Sequence, residues 1–174
     1  MDYRAQAQIT LLVLNTIISL CGIADNSSVD ESEFNGIFFS MCVKPVYQEY
    51  LGRTFSALKS VLRSQYATVL ELHLLLGCQI SEVWEISLFC GRVPETPEVQ
   101  ALVNDITLTM DNSHSLANHT FRICLKVDNK HRIPTQCILF NNSKSLRSSQ
   151  ETRTTTFRNL GFMMVRKYVR RENS

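Results

Sequence analysis

The sequence is poor in glycine and proline, with six and four among 174 residues, which excludes collagen-like and Gly/Ser-linker architectures. No apolar run reaches the ~20 residues of a conventional membrane span, so no stable span is expected. Charge of one sign is missing too. With 18 basic against 16 acidic residues the net charge is +2, far from the strongly basic balance of a nucleic-acid binder. There is no Gly-x-Ser-x-Gly, no phosphate-binding glycine loop and no His-Glu-x-x-His, so the chain does not read as an enzyme. No Cys-x-x-Cys occurs, and His73, His114, His119 and His131 lack zinc spacing, so neither metal nor cofactor is expected.

What is present is a 44% hydrophobic, 20% charged composition, ordinary for a chain that buries a core, at a length that suits one domain of ~100–200 residues. Arg4 precedes a mostly apolar segment from Ile9 to Cys21, followed by Gly22-Ile23-Ala24, a small-x-small triplet suited to signal peptidase. Residues 1–24 therefore read as a signal peptide. The alternative is a buried first helix, because Asn15, Thr16 and Ser19 dilute the apolar centre. Sequons at Asn26, Asn118 and Asn141 suit a secreted glycoprotein. Cleavage would leave Cys42, Cys78, Cys90, Cys124 and Cys137, of which an oxidising compartment would pair four and leave one free or intermolecular.

Residues 25–33 form a polar run read as a mobile N-terminus. Phe34 to Val46 reads as a first strand stopped by Pro45. Leu51, Phe55, Leu58 and Leu62 recur at helical spacing, predicting an amphipathic helix over Tyr47 to Ser64 that packs on the core. Strands are predicted over 67–78, 82–92, 102–110, 121–127 and 133–140 from alternating polarity, with Cys124 on the polar-parity face of its strand. Glu71 and His73 share one strand face and have the look of an acid/base pair. General acid/base work needs a pocket as well, so they are read as a solvated face or cross-strand contacts. Trp84 reads as core. Residues 141–156 have loop composition, and the stretch from Phe157 to Arg171 reads as a last strand with a solvated basic end. This strand spacing predicts an antiparallel sandwich with one inserted helix.

Glu71-Leu72-His73-Leu74-Leu75-Leu76-Gly77-Cys78 resembles the Glu-Leu-His-Leu-Gly-x-Gly-Cys signature of the placenta-specific and oocyte-secreted protein family. Cys90-Gly91-Arg92 and Val43-Lys44-Pro45 are similar to further pieces of that family, in the same order. The resemblance implies a mainly β, immunoglobulin-like antiparallel β-sandwich of the zona pellucida N-terminal type over residues 34–140, followed by a polar loop and basic tail over 141–174. It also implies bridges Cys78–Cys90 and Cys42–Cys124, with Cys137 odd and available for a homodimer. The function implied is a secreted, disulfide-bonded glycoprotein that binds an extracellular or cell-surface protein in oocyte, egg-coat or placental biology. A secreted immune-type ligand or decoy, viral or host, is the alternative.

Overall fold

A computed structural model of the chain describes residues 2–22, 28–63, 68–111, 119–127 and 152–170. Its first element is a helix, α1 (Tyr3–Leu20), whose N-terminus is capped by Asp2 accepting from the Ala5 N–H. Ala7, Val13, Leu14, Ile17 and Ile18 are wholly buried in it. The polar residues that dilute the segment, Asn15, Thr16 and Ser19, are also buried; Thr16 donates to the Leu12 carbonyl and the Asn15 amide to that of Leu11, as Thr10 does to that of Gln6. The expected signal peptide is therefore the central core helix. It is apolar enough to imitate a signal because it is covered on all sides.

A hairpin follows, β1 (Val29–Phe34) paired antiparallel with β2 (Ile37–Cys42). Asn35 and Gly36 turn it with φ of 52° and 79°, the left-handed pair that a two-residue hairpin loop requires. The single strand expected over 34–46 is thus split by a turn, and the run expected to be mobile supplies β1, polar because most of its residues are exposed or half-buried. Pro45 begins α2 (Pro45–Arg63), as a proline at the first helical position does, and the predicted helix stands.

Next come β3 (Thr68–Leu76) and β4 (Gln79–Leu88), α3 (Thr96–Asp111), β5 (Thr120–Val127), β6 (Thr152–Asn159) and β7 (Met163–Arg170). The strand expected over 102–110 is helical. Val99, Leu102, Val103, Ile106 and Met110 are buried at helical spacing, while Leu108, which completed the apparent alternation, is exposed. The expected last strand is two strands: Phe157 ends up in β6, and a turn with Gly161 at φ 82° leads into β7.

Strands β3 to β7 form one antiparallel sheet in the order β5-β3-β4-β7-β6. Leu70, Leu72, Trp84, Ile86, Ile123 and Val165 share one face and one apolar cluster with the three helices and β2. All helices therefore lie on one side of the sheet. This is a mixed α/β layer architecture, and the immunoglobulin-like sandwich is corrected: among the described residues the layer facing the five-stranded sheet is made of three helices with the β1–β2 hairpin beside them.

Candidate functional site: the β5 edge

β3 lies inside the sheet and hands β5 one partner only, so β5 is an edge strand among the described residues. Its register sets Ile123 opposite Leu72 and Cys124 opposite Glu71. The N–H of Ile123 is directed away from β3 to the hydroxyl of Tyr50, at 3.0 Å, and the same hydroxyl lies 3.5 Å from the Ile123 carbonyl. Alternation along an antiparallel strand then turns the backbone groups of Phe121, Leu125 and Val127 outward too, and those of Arg122, Cys124 and Lys126 toward β3.

Tyr50 comes from α2, which runs beside this edge. The helix is anchored to the core by Leu51, Leu58, Val61 and Leu62, which leaves Tyr47 and Tyr50, three residues apart, on the stripe facing β5. Both rings meet Phe121 edge-on, with centroids at 5.2 and 5.8 Å. Burial pushes the Tyr50 phenol above its ordinary pKa, so the hydroxyl keeps its proton and can donate as well as accept. The result is an aromatic wall beside a strand edge.

The opposite face of the sheet carries a buried charged cluster. Glu71, only 1% exposed, accepts from the Lys126 ammonium at 2.8 Å and contacts His73 Nε2 at 2.9 Å. Arg122 Nε lies 3.2 Å from His73 Nδ1 on the other side of the ring. Glu71 and His73, neighbours on one face of β3, therefore make cross-strand contacts to Lys126 and Arg122 of β5, as one of the two sequence readings had it, and do not form a solvated face. The cluster fastens β5 to β3 through two of the β5 side chains on this face, Arg122 and Lys126.

The cysteines do not lie where the family resemblance put them. Cys78 sits in the β3–β4 turn and Cys90 beyond the far end of the ten-residue β4, roughly 30 Å away at strand rise, against the ~7 Å that a bridge tolerates. Cys42 belongs to the helix-side core, whereas Cys124 shares the Glu71 face, so the sheet stands between two free thiols. Burial raises the pKa of the Cys124 thiol. Cys137, Asn26, Asn118 and Asn141 lie outside the described residues, as do His114, His131 and the strand expected over 133–140. Among the described residues no group of His, Cys, Asp and Glu is placed to hold a metal ion, and no helix is long and apolar enough to cross a membrane. The expected solvated basic end is corrected as well. Lys167 is buried, paired with Glu82 at 3.2 Å and set over the Trp84 ring, while Arg166 reaches Glu85.

Sequence reasoning singled out neither Tyr47 nor Tyr50. The only signal was two tyrosines at helical spacing outside the Leu51-Leu58-Leu62 stripe, and that acquires meaning only when the helix is seen beside a sheet edge.

No protein-family model and no curated protein matches the sequence. Solved structures do. A chain of a mitotic checkpoint complex superposes with a TM-score of 0.82 at 17% identity, covering 99% of this chain and 100% of that one. Caenorhabditis elegans HTP-2 bound to the HIM-3 closure motif gives 0.70 at 10% identity, over 94% of this chain and 88% of that one. HTP-1 of the same organism, bound to HTP-3 motif-1, gives 0.67 at 8%, again over 94% and 88%. These are HORMA-domain proteins, and at such identities the likeness establishes the fold alone.

The finding overturns the resemblance to the placenta-specific and oocyte-secreted family, along with the zona pellucida-like domain it implied. The extracellular egg-coat or placental module and the secreted immune ligand fall with it, since a fold shared with checkpoint and closure-motif-binding proteins, and built around residues 3–20, points away from secretion. This chain carries the HORMA fold.

Proposed function

We propose that the chain is a peptide-binding module, not an enzyme, that takes an extended segment of a partner protein as an added strand along β5. The observation carrying this is the β5 edge, whose outward N–H and C=O groups lie beside the aromatic wall of α2. Main-chain hydrogen bonds supply affinity in strand addition, and pockets for alternate side chains supply specificity. Here the apolar side chains would turn toward α2, with the Tyr50 ring beside them, and the others toward the sheet face that carries Lys126. Two solved proteins of the same fold, HTP-2 and HTP-1, hold the HIM-3 closure motif.

Other edges suit the role less well. β6, at the far side of the sheet, reads Thr-Arg-Thr-Thr-Thr-Phe-Arg-Asn, the polar and charged make-up that discourages pairing. β2 is already occupied where Phe38 exchanges two bonds with the Gln100 side chain, at 2.7 and 3.1 Å.

The test uses peptides selected on the intact chain from a displayed random 16-residue library. Val127→Pro deletes an outward donor of β5 without removing a bond to β3, so it should weaken the selected peptides roughly tenfold while the fold persists. Equal binding by a folded Val127→Pro variant contradicts the reading.

A further inference from the structure

The hydroxyl of Tyr50 is placed as the peptide group of a neighbouring strand would be. It accepts from the outward N–H of Ile123 at 3.0 Å and lies within reach of the carbonyl of the same residue. One side-chain oxygen thus covers both outward groups of the residue at the middle of β5. It is not a loose cap. The ring rests against Phe121, and Thr54 on the next turn donates to the Tyr50 carbonyl at 3.0 Å. The neighbouring Leu51 is 1% exposed in the core, so α2 cannot swing outward without opening that core.

Resting on the strand-addition reading above, we propose that Tyr50 sets the register of the bound segment: the incoming peptide pairs with β5 beyond Ile123, through the outward groups of Leu125 and Val127, and is stopped by the Tyr50 hydroxyl. Side-chain period along a strand is two, so a stop that fixes where pairing begins also fixes which peptide residues turn toward α2 and which toward the sheet face that carries Lys126. A phenol does this well because it satisfies the donor and acceptor it covers. An apolar plug would leave both unpaired, at a cost that would favour its displacement by the peptide. Tyr50 on this account is a positioning residue, and the segment recognised is a short extended peptide with an apolar residue on every second position.

The experiment is residue-resolved amide exchange of the full chain, wild type and Tyr50→Phe, free and saturated with a library-selected 16-residue peptide. In the free proteins, loss of the hydroxyl should speed exchange of the Ile123 amide by roughly five- to tenfold, with Arg122 and Cys124 unchanged. In the complexes, wild type should gain protection at Leu125 and Val127 but not at Ile123, whereas Tyr50→Phe should gain it at Ile123 as well. The variant should also prefer peptides shifted by two residues. Added protection of Ile123 in the wild-type complex, or the same footprint in both proteins, overturns the role of Tyr50 and leaves strand addition standing. Protection confined to other strands, or no selectable peptide at all, overturns both. Tyr50→Phe keeps the ring against Phe121, and a thermal melt within a few degrees of wild type separates a register change from a damaged fold.

Discussion

At the scale of single residues, buried polar groups with assigned partners join the strands of the sheet. Glu71 is buried with two such partners, and its loss would strand the Lys126 ammonium and the His73 ring at the seam between β3 and β5. Breaking a buried pair costs ~3–5 kcal/mol, but Lys126 keeps a third of its surface in water, so Glu71→Ala should cost about 2 kcal/mol in urea unfolding. A change within about 0.5 kcal/mol, the range of ordinary surface substitutions, would show that the cluster fastens nothing. The cysteines give a second check. Cys78 is exposed in a turn, whereas Cys42 and Cys124 are buried and the Cys124 thiol is raised in pKa. Iodoacetamide on the native protein should therefore label Cys78 well before Cys42 or Cys124, and equal labelling would contradict the burial.

Elements carry the next set of consequences. α1 supplies Leu14, Ile17 and Ile18 to the same cluster as Trp84 and Leu72, so the chain starting at Asp25 should not fold. Expressed without residues 1–24, it should lack the cooperative melt of the full chain. A folded product would restore the reading of that segment as a leader.

The start of α3 depends on Glu98, which accepts from the Glu95 N–H at 2.8 Å and from both terminal nitrogens of Arg92. The Arg92 bond holds the Glu98 carboxyl below its ordinary pKa. A depressed carboxylate stabilises fully above its unfolded pKa, and its contribution is lost as pH falls through the folded value. Acid unfolding followed by circular dichroism should accordingly be steeper in wild type than in Glu98→Gln, with identical curves arguing against the cap.

These elements also show how much of the molecule was legible in sequence. α2 and strands β3, β4 and β5 were readable because each has one apolar face, and period alone then distinguishes 3.6 from 2. α1 was misread because a helix buried all round has no polar face to show. α3 was misread because Ile106 and Leu108 alternate with Thr107 and Thr109 while only Ile106 is buried. Of the candidate site, Arg122 and Lys126 appeared only as the polar parity of a strand, and Tyr50 not at all, because a strand edge is a property of sheet order that local sequence does not contain.

For the whole molecule, the sheet order puts β5 and β6 at opposite edges and all three helices on one side, with α2 standing over β5. The cysteine framework and sequons had suggested a small secreted module stapled by bridges. The folded chain instead draws its stability from one continuous core, with Trp84 at 0% exposure stacked on Phe157 of β6 at 5.4 Å. Trp84→Ala should cost about 3–5 kcal/mol, the range for a fully buried aromatic, and should loosen β6 and β7 first. An unfolding midpoint close to wild type would place the core elsewhere.

The central claim, strand addition along β5, is tested most directly by intermolecular nuclear Overhauser contacts between a selected, isotopically labelled peptide and the full-length chain. The expected result is cross-strand contacts from the peptide backbone to the Leu125 and Val127 amides, with the peptide ending at the Tyr50 ring. Contacts to β6, or a peptide bound without backbone pairing to β5, would contradict it.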